Sequence, residues 1–106
     1  MFGRQVTLKL KGNSATELNR IAEAEILPIL RKQKGFRDET TFIAPERSEA
    51  IVNSFWDTKA DAEAYGHTAY SEVLKTLSNV IDGTPTVKNF EFASSTLQPA
   101  ATSKLV

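Results

Sequence analysis

Residues 50–70 read AIVNSFWDTKADAEAYGHTAY, and the change of period inside this stretch decides the fold. From Ala50 to Trp56 the side chains alternate. Val52, Ser54 and Trp56 share one face, and Ile51, Asn53 and Phe55 share the other, which is the period of a β-strand. After Asp57 the period lengthens. Thr58 stands as an N-cap, with Asp61 at the third helical position completing a capping-box pattern. Ala62, Tyr65, Ala69, Val73, Leu77 and Ile81 then recur at helical spacing. Gly66 weakens that run by up to ~1 kcal/mol relative to Ala. The segment therefore reads either as one helix or as a short helix and a longer one joined near Gly66 to Thr68.

Working upstream, FRDETTFIA (36–44) is rich in Thr and aromatics and reads as a strand. PERSE (45–49) is the polar turn that pairs it with the strand ending at Trp56. RQVTLKLKG (4–12) alternates, with Val6, Leu8 and Leu10 pointing one way, and Gly12 and Asn13 end it. Between these strands, SATELNRIAEAEILPILRKQKG (14–35) has helical spacing at Leu18, Ile21, Ala22, Ile26, Ile29 and Leu30. Ser14 and Glu17 have the spacing of a capping box. Arg31, Lys32 and Lys34 suit the negative end of the helix dipole, and Gly35 is a natural C-cap. Pro28 lacks an N–H and crowds the carbonyl of Ala24, which predicts a kink.

Downstream, Asp82 and Gly83 are expected to end the second helical segment, with Pro85 preventing its continuation. TVKNFEFASST (86–96) reads as the last strand, with Lys88, Phe90 and Phe92 on one face. QPAATSKLV (98–106) has no period and reads as a flexible tail, leaving one domain over residues 1–97.

The order strand, helix, strand, strand, helix, strand predicts an α+β, ferredoxin-like βαββαβ domain. Two right-handed crossovers around a central hairpin give a four-stranded antiparallel sheet with two helices on one face. Large apolar side chains occur on both faces of the 50–56 strand and in NFEF. A bare apolar sheet face is uncommon in a monomer, so two copies stacking their sheets are expected.

Composition narrows the function classes. The chain has 106 residues, enough for one domain with a modest core. Thirteen basic side chains balance thirteen acidic ones, which gives no reason to expect a nucleic-acid partner. With no Cys, disulfides, thiolate catalysis and Cys-ligated metals are excluded. The N-terminus lacks the apolar run of a signal peptide and no window has the length of a membrane span, so a cytoplasmic chain without a membrane partner is expected. No glycine-rich nucleotide loop, GxSxG or HExxH motif occurs.

Several landmarks together resemble the antibiotic biosynthesis monooxygenase-like domains of the dimeric α/β-barrel superfamily, over roughly residues 4–96. They are KGF (34–36) opening the second strand, SFWDTKADAEAY (54–65), YSEVLKTL (70–77) and FEFASS (90–95). The resemblance implies a homodimer with face-to-face sheets and a pocket between sheet and helices in each protomer. It also implies oxidation of polycyclic phenols or quinols by molecular oxygen with no metal or flavin cofactor. Other members bind and degrade haem. In those, a first-strand Asn, a Trp ending the third strand and a His on the second helix form the site. Here Trp56 matches the Trp and His67 falls one residue past the His. Thr7 and Leu8 stand where the Asn would be.

The expected site follows from these residues. His67, the chain's one His, is a base or ligand with an ordinary pKa near neutrality. Its bland alternative is a surface or capping role. Trp56 stacks on a flat ligand or packs the core end. Asn53, polar in an apolar strand, orients a ligand oxygen or contacts water. Tyr65, Tyr70 and Phe90 are the expected ring-contacting set. Five residues apart, Tyr65 and Tyr70 cannot face one pocket if the helix is unbroken. Arg37, Asp38 and Glu39 form either a solvated edge or a charged pocket rim. No second His supports a metal site. Three functions remain open: a cofactor-independent monooxygenase for a small flat aromatic, a non-catalytic ligand-binding or structural homodimer, and a haem-binding protein.

Overall fold

The computed structural model describes residues 1–44, 46 and 48–93. The expected tail at 98–106, the boundary at 97, and Pro45 and Arg47 of the expected turn lie outside the described residues. The strands are β1 (Phe2–Leu10), β2 (Phe36–Ala44), β3 (Glu49–Trp56) and β4 (Ile81–Glu91). They form one antiparallel sheet in the order β2-β3-β1-β4. This is the ferredoxin-like arrangement read from the sequence.

Alternation places the core. Every second residue of β1 from Phe2 to Leu10 is buried, and Ala50, Ser54 and Trp56 of β3 point the same way. Leu18, Ile21, Ile26, Leu30, Ala62, Tyr65, Val73 and Leu77 of the helices pack onto that face as a single cluster. Leu8, Leu18, Leu30 and Trp56 are the largest fully buried side chains. Each such side chain contributes about 1.5–3 kcal/mol by leaving water. The opposite face of the sheet, carrying Gln5, Thr40, Phe42, Ile51, Asn53, Phe55 and Phe90, has no helix over it among the described residues.

The first helical arm is α1 (Ala15–Ile21), a π turn (Ala22–Ile26) and α2 (Leu27–Arg31). The disturbance expected at Pro28 is taken up by the π turn just before it. The N–H of Leu27 reaches back five residues to Ala22, and Pro28 falls in the first turn of α2, where a missing N–H costs little. The expected capping box does not form. The Ser14 side chain caps nothing, and Glu17 instead forms an exposed pair with Arg20 at 2.7 Å. The helix ends at Arg31, earlier than its basic run suggested. Gly35 lies beyond it with φ +81°, and a Cβ there would overlap the Asp61 carboxylate. The residue must be Gly for both reasons.

The second arm is two helices, α3 (Lys59–His67) and α4 (Tyr70–Leu77). The Thr58 hydroxyl accepts from the Asp61 N–H at 3.1 Å, as its capping position predicts. The break falls at Thr68, with φ −124° and ψ −86°. The end of this arm differs from expectation. The helix stops at Leu77, and Ile81 begins β4 opposite Leu10 instead of ending a helical stripe. Its burial is the same in either role, so periodicity alone could not separate them. Pro85 sits within β4, an edge strand, where a missing donor is tolerated.

Candidate functional site

Each face of the sheet carries a space. On the covered face, a cavity of about 30 Å³ lies between the sheet and the helices. Its walls are apolar residues such as Val6, Leu18, Ile26 and Val73, interrupted by Arg4, Glu39, Ser54, Tyr65 and Tyr70. On the open face, a shallower depression of about 250 Å³ runs past Gly3, Gln5, Asn53, Phe55, Phe90 and Phe92. The smaller space is the one whose polar groups are withdrawn from water.

Arg4 is central to it. It lies in phase with Val6, Leu8 and Leu10, so the pleat of β1 directs it inward, where it is only 9% exposed. Its guanidinium carbon stands 4.4 Å from the centre of the Tyr70 ring and 5.6 Å from that of Tyr65. Gly66 makes room for it: a Cβ at that position would approach Nη1 to 3.0 Å. The helix-weakening glycine noted in the sequence thus lies directly against a buried cation.

Glu39 reaches the cavity through a bulge. The β2–β3 register shifts between Phe36 and Asp38, so Glu39 pairs with Ser54 and turns to the covered face. Its carboxylate accepts a short hydrogen bond from the Thr41 hydroxyl. Desolvation raises its pKa above the ordinary carboxylate value, opposed by that hydrogen bond and assisted by nearby Asp38. Burial likewise pushes the Tyr65 and Tyr70 phenols upward, opposed in both by the Arg4 charge. Both phenols therefore stay protonated at neutral pH.

The expected site residues divide among four places. Tyr65 and Tyr70 both line the cavity, with ring centres 6.0 Å apart. The break at Thr68 is what allows this for two residues five apart. Trp56 is fully buried behind them. It stacks on Tyr65 at 5.0 Å, meets Phe36 edge-on and donates its indole N–H to Ser54 at 2.9 Å. Asn53 lies on the open face, where Gln5 donates to it and it donates to Thr40, both at 3.3 Å. Phe90 is on that face too, half exposed. His67 is exposed and lines neither space. The expected convergence of His67, Trp56 and Asn53 on one pocket is therefore not what the structure shows. Asn53 is three positions from Trp56 along β3, an odd number, so it points to the opposite face, and His67 follows Gly66 around the helix onto its solvent side.

Arg4 and Ser54 were not in the expected site, and Glu39 was expected only as part of a solvated edge or a charged pocket rim, the second of which its place in the cavity wall matches. Arg4 had a legible signal, as a charge in phase with an apolar strand face. The covered-face cavity has no His in its walls, so the residues present do not fit an axially ligated haem. Among the described residues, no cluster of His, Cys, Asp or Glu could hold a metal ion.

No protein-family model and no curated protein sequence matches the chain. Solved structures do. A protein of unknown function from Nitrosomonas europaea superposes with TM-score 0.72 at 19% identity, covering 93% of this chain and 94% of that one. A monooxygenase from the gene ActVA-Orf6 of Streptomyces coelicolor, in complex with nanaomycin D, gives TM-score 0.74 at 19% identity, with 91% and 90% covered. A mutant of MhuD, with two manganese protoporphyrin IX bound per active site, gives TM-score 0.71 at 12% identity, with 90% and 97% covered. The chain also shares its fold with structures described as antibiotic biosynthesis monooxygenases, from Nitrosomonas europaea (TM-score 0.70 at 14% identity) and Bordetella bronchiseptica (TM-score 0.71 at 11% identity), as the resemblance in its sequence implied.

Proposed function

We propose that the chain is a cofactor-independent monooxygenase for a flat, electron-rich phenol or quinol, bound in the helix–sheet cavity of each protomer of a homodimer. One observation carries this reading. A space with apolar walls gathers a guanidinium, a carboxylate whose pKa is raised toward neutrality and two phenols. The fold it shares with a nanaomycin-bound monooxygenase supports it.

In this reading Glu39 replaces His67 as the base, since a raised pKa brings a carboxylate closer to the working pH. Tyr65 and Tyr70 contact the ring, and Trp56 fixes Tyr65 from behind. The substrate supplies the electrons. A ring CH₂ becomes a carbonyl, one oxygen atom enters the product, and the other leaves as water with the two hydrogens. Asn53 and Phe90 belong to the dimer face, where exposed Phe42 and Phe90 supply apolar area for a second copy.

A ring needs more room than the cavity has. Tyr70, at the start of α4, is the wall that moves, with the Thr68 joint as pivot. The same small volume favours a second reading, a structural homodimer whose cleft stays closed. Oxygen uptake with a polycyclic phenol bearing a ring methylene, measured with a chelator present, separates the two. The monooxygenase consumes one oxygen per carbonyl formed, and Glu39→Gln lowers kcat about a hundredfold. Absence of uptake leaves the structural reading.

A further inference from the structure

Arg4 is nine-tenths buried, and its Nε has no hydrogen-bond partner. Among the described residues no carboxylate pairs with it, even though Glu39 lines the same cavity. A buried cation without a counter-charge is costly, and the face of the Tyr70 ring offsets only part of that cost. Gly66 is where a side chain would push the guanidinium out, yet the helix carries none there. The fold thus holds a desolvated, under-satisfied fork of donors against a cavity wall.

We infer that this fork is an oxyanion anchor, and that the ligand of the cavity is an aromatic compound carrying an anionic oxygen, seated where the Tyr70 ring now covers Arg4. The inference rests on the proposal that the cavity is the ligand site, and it adds the ligand's charge. A guanidinium with a free Nε edge matches a carboxylate in a two-point hydrogen bond, and a phenolate in a single one. The aromatic part follows from the walls: beside Glu39 and Ser54 they are Tyr65, Tyr70 and apolar side chains, which suit a flat ring better than a hydrophilic ligand body. On binding, the ring of Tyr70 leaves the cation and becomes a flank of the ligand.

Benzoate, its neutral shape-match benzamide, and 4-nitrophenol above the pH at which it ionises serve as probes. Trp56 is the chain's one Trp, and its indole N–H is bonded to Ser54 in the cavity wall. Its amide-type signal in proton–nitrogen correlation spectra therefore reports occupancy without turnover. Benzoate is expected to bind about tenfold or more tighter than benzamide, the margin a charge-assisted pair supplies. Arg4→Met abolishes that preference. Gly66→Ala, which displaces the guanidinium without removing it, weakens benzoate and leaves benzamide unchanged, and it serves if Arg4→Met does not fold. Stronger binding of 4-nitrophenolate than of benzoate upholds the anchor and identifies a phenolate as its partner. Equal binding of benzoate and benzamide, a preference that survives both variants, or no binding of either anion overturns the inference. Arg4-dependent anion binding without oxygen uptake removes the monooxygenase reading and leaves the anchor standing. Oxygen uptake without Arg4-dependent binding does the reverse.

Discussion

Trp56 and Phe55 are neighbours on β3 and meet opposite surroundings. Trp56 is fully buried under the helices, stacked on Tyr65. Phe55 points to the uncovered face, where Phe92 meets it edge-on and Phe90 is half exposed. The two faces also treat polarity differently. The covered face withdraws a charge, Arg4, from water and leaves its Nε unpartnered. The uncovered face carries a satisfied amide chain, Gln5 to Asn53 to Thr40, across three strands. Unmet polarity inside a core points to a ligand, and unmet apolar area on a surface points to a second protein surface.

Substitutions sharpen this contrast. The largest effect is expected at Trp56→Ala, which removes a fully buried ring and destabilises by about 3–5 kcal/mol in urea unfolding. A loss below ~1 kcal/mol would mean the covered face is not the core described here. Next is the double change Phe42→Ser with Phe90→Ser. It should raise the dimer dissociation constant about thirtyfold in sedimentation equilibrium, the scale of an interface hot spot. An unchanged constant would detach the exposed phenylalanines from self-association.

Smaller effects test the helical arms and the buried acid. Thr58→Ala should cost about 1 kcal/mol, because it removes an observed cap, whereas Ser14→Ala should cost about 0.5 kcal/mol or less. Equal losses would contradict the caps as seen. The smallest effect is a pH dependence at Glu39. Its pKa is raised in the folded state, so its contribution to stability is present below the ordinary carboxylate range and is lost as pH rises through the folded value. Glu39→Gln should therefore gain on the wild type as pH goes from about 4 toward neutrality. A gap that shrinks over that range would mean the carboxylate is stabilised as an anion.

How much was legible depended on the kind of signal. Strands with alternation, such as the one expected over Ala50–Trp56 and found over Glu49–Trp56, were readable almost to the residue, because burial on one face enforces the period. The Thr58 cap was readable for the same local reason. Ile81 was not, since a buried residue looks alike at the end of a helix and the start of a strand. The site was harder still. Trp56, His67 and Asn53 cluster in sequence, but pleat and helix rotation send them to three environments. Glu39 reaches the cavity only through a bulge that no residue type announces. Arg4 was readable in principle, as a charge in phase with Val6 and Leu8.

The central claim is that one face of the sheet is a ligand site and the other an interface between copies. Native mass spectrometry of the freshly purified chain at micromolar concentration tests it most directly. The account predicts a mass of two chains. A mass of one chain would contradict it, since the exposed Phe42 and Phe90 would then have no partner to cover them.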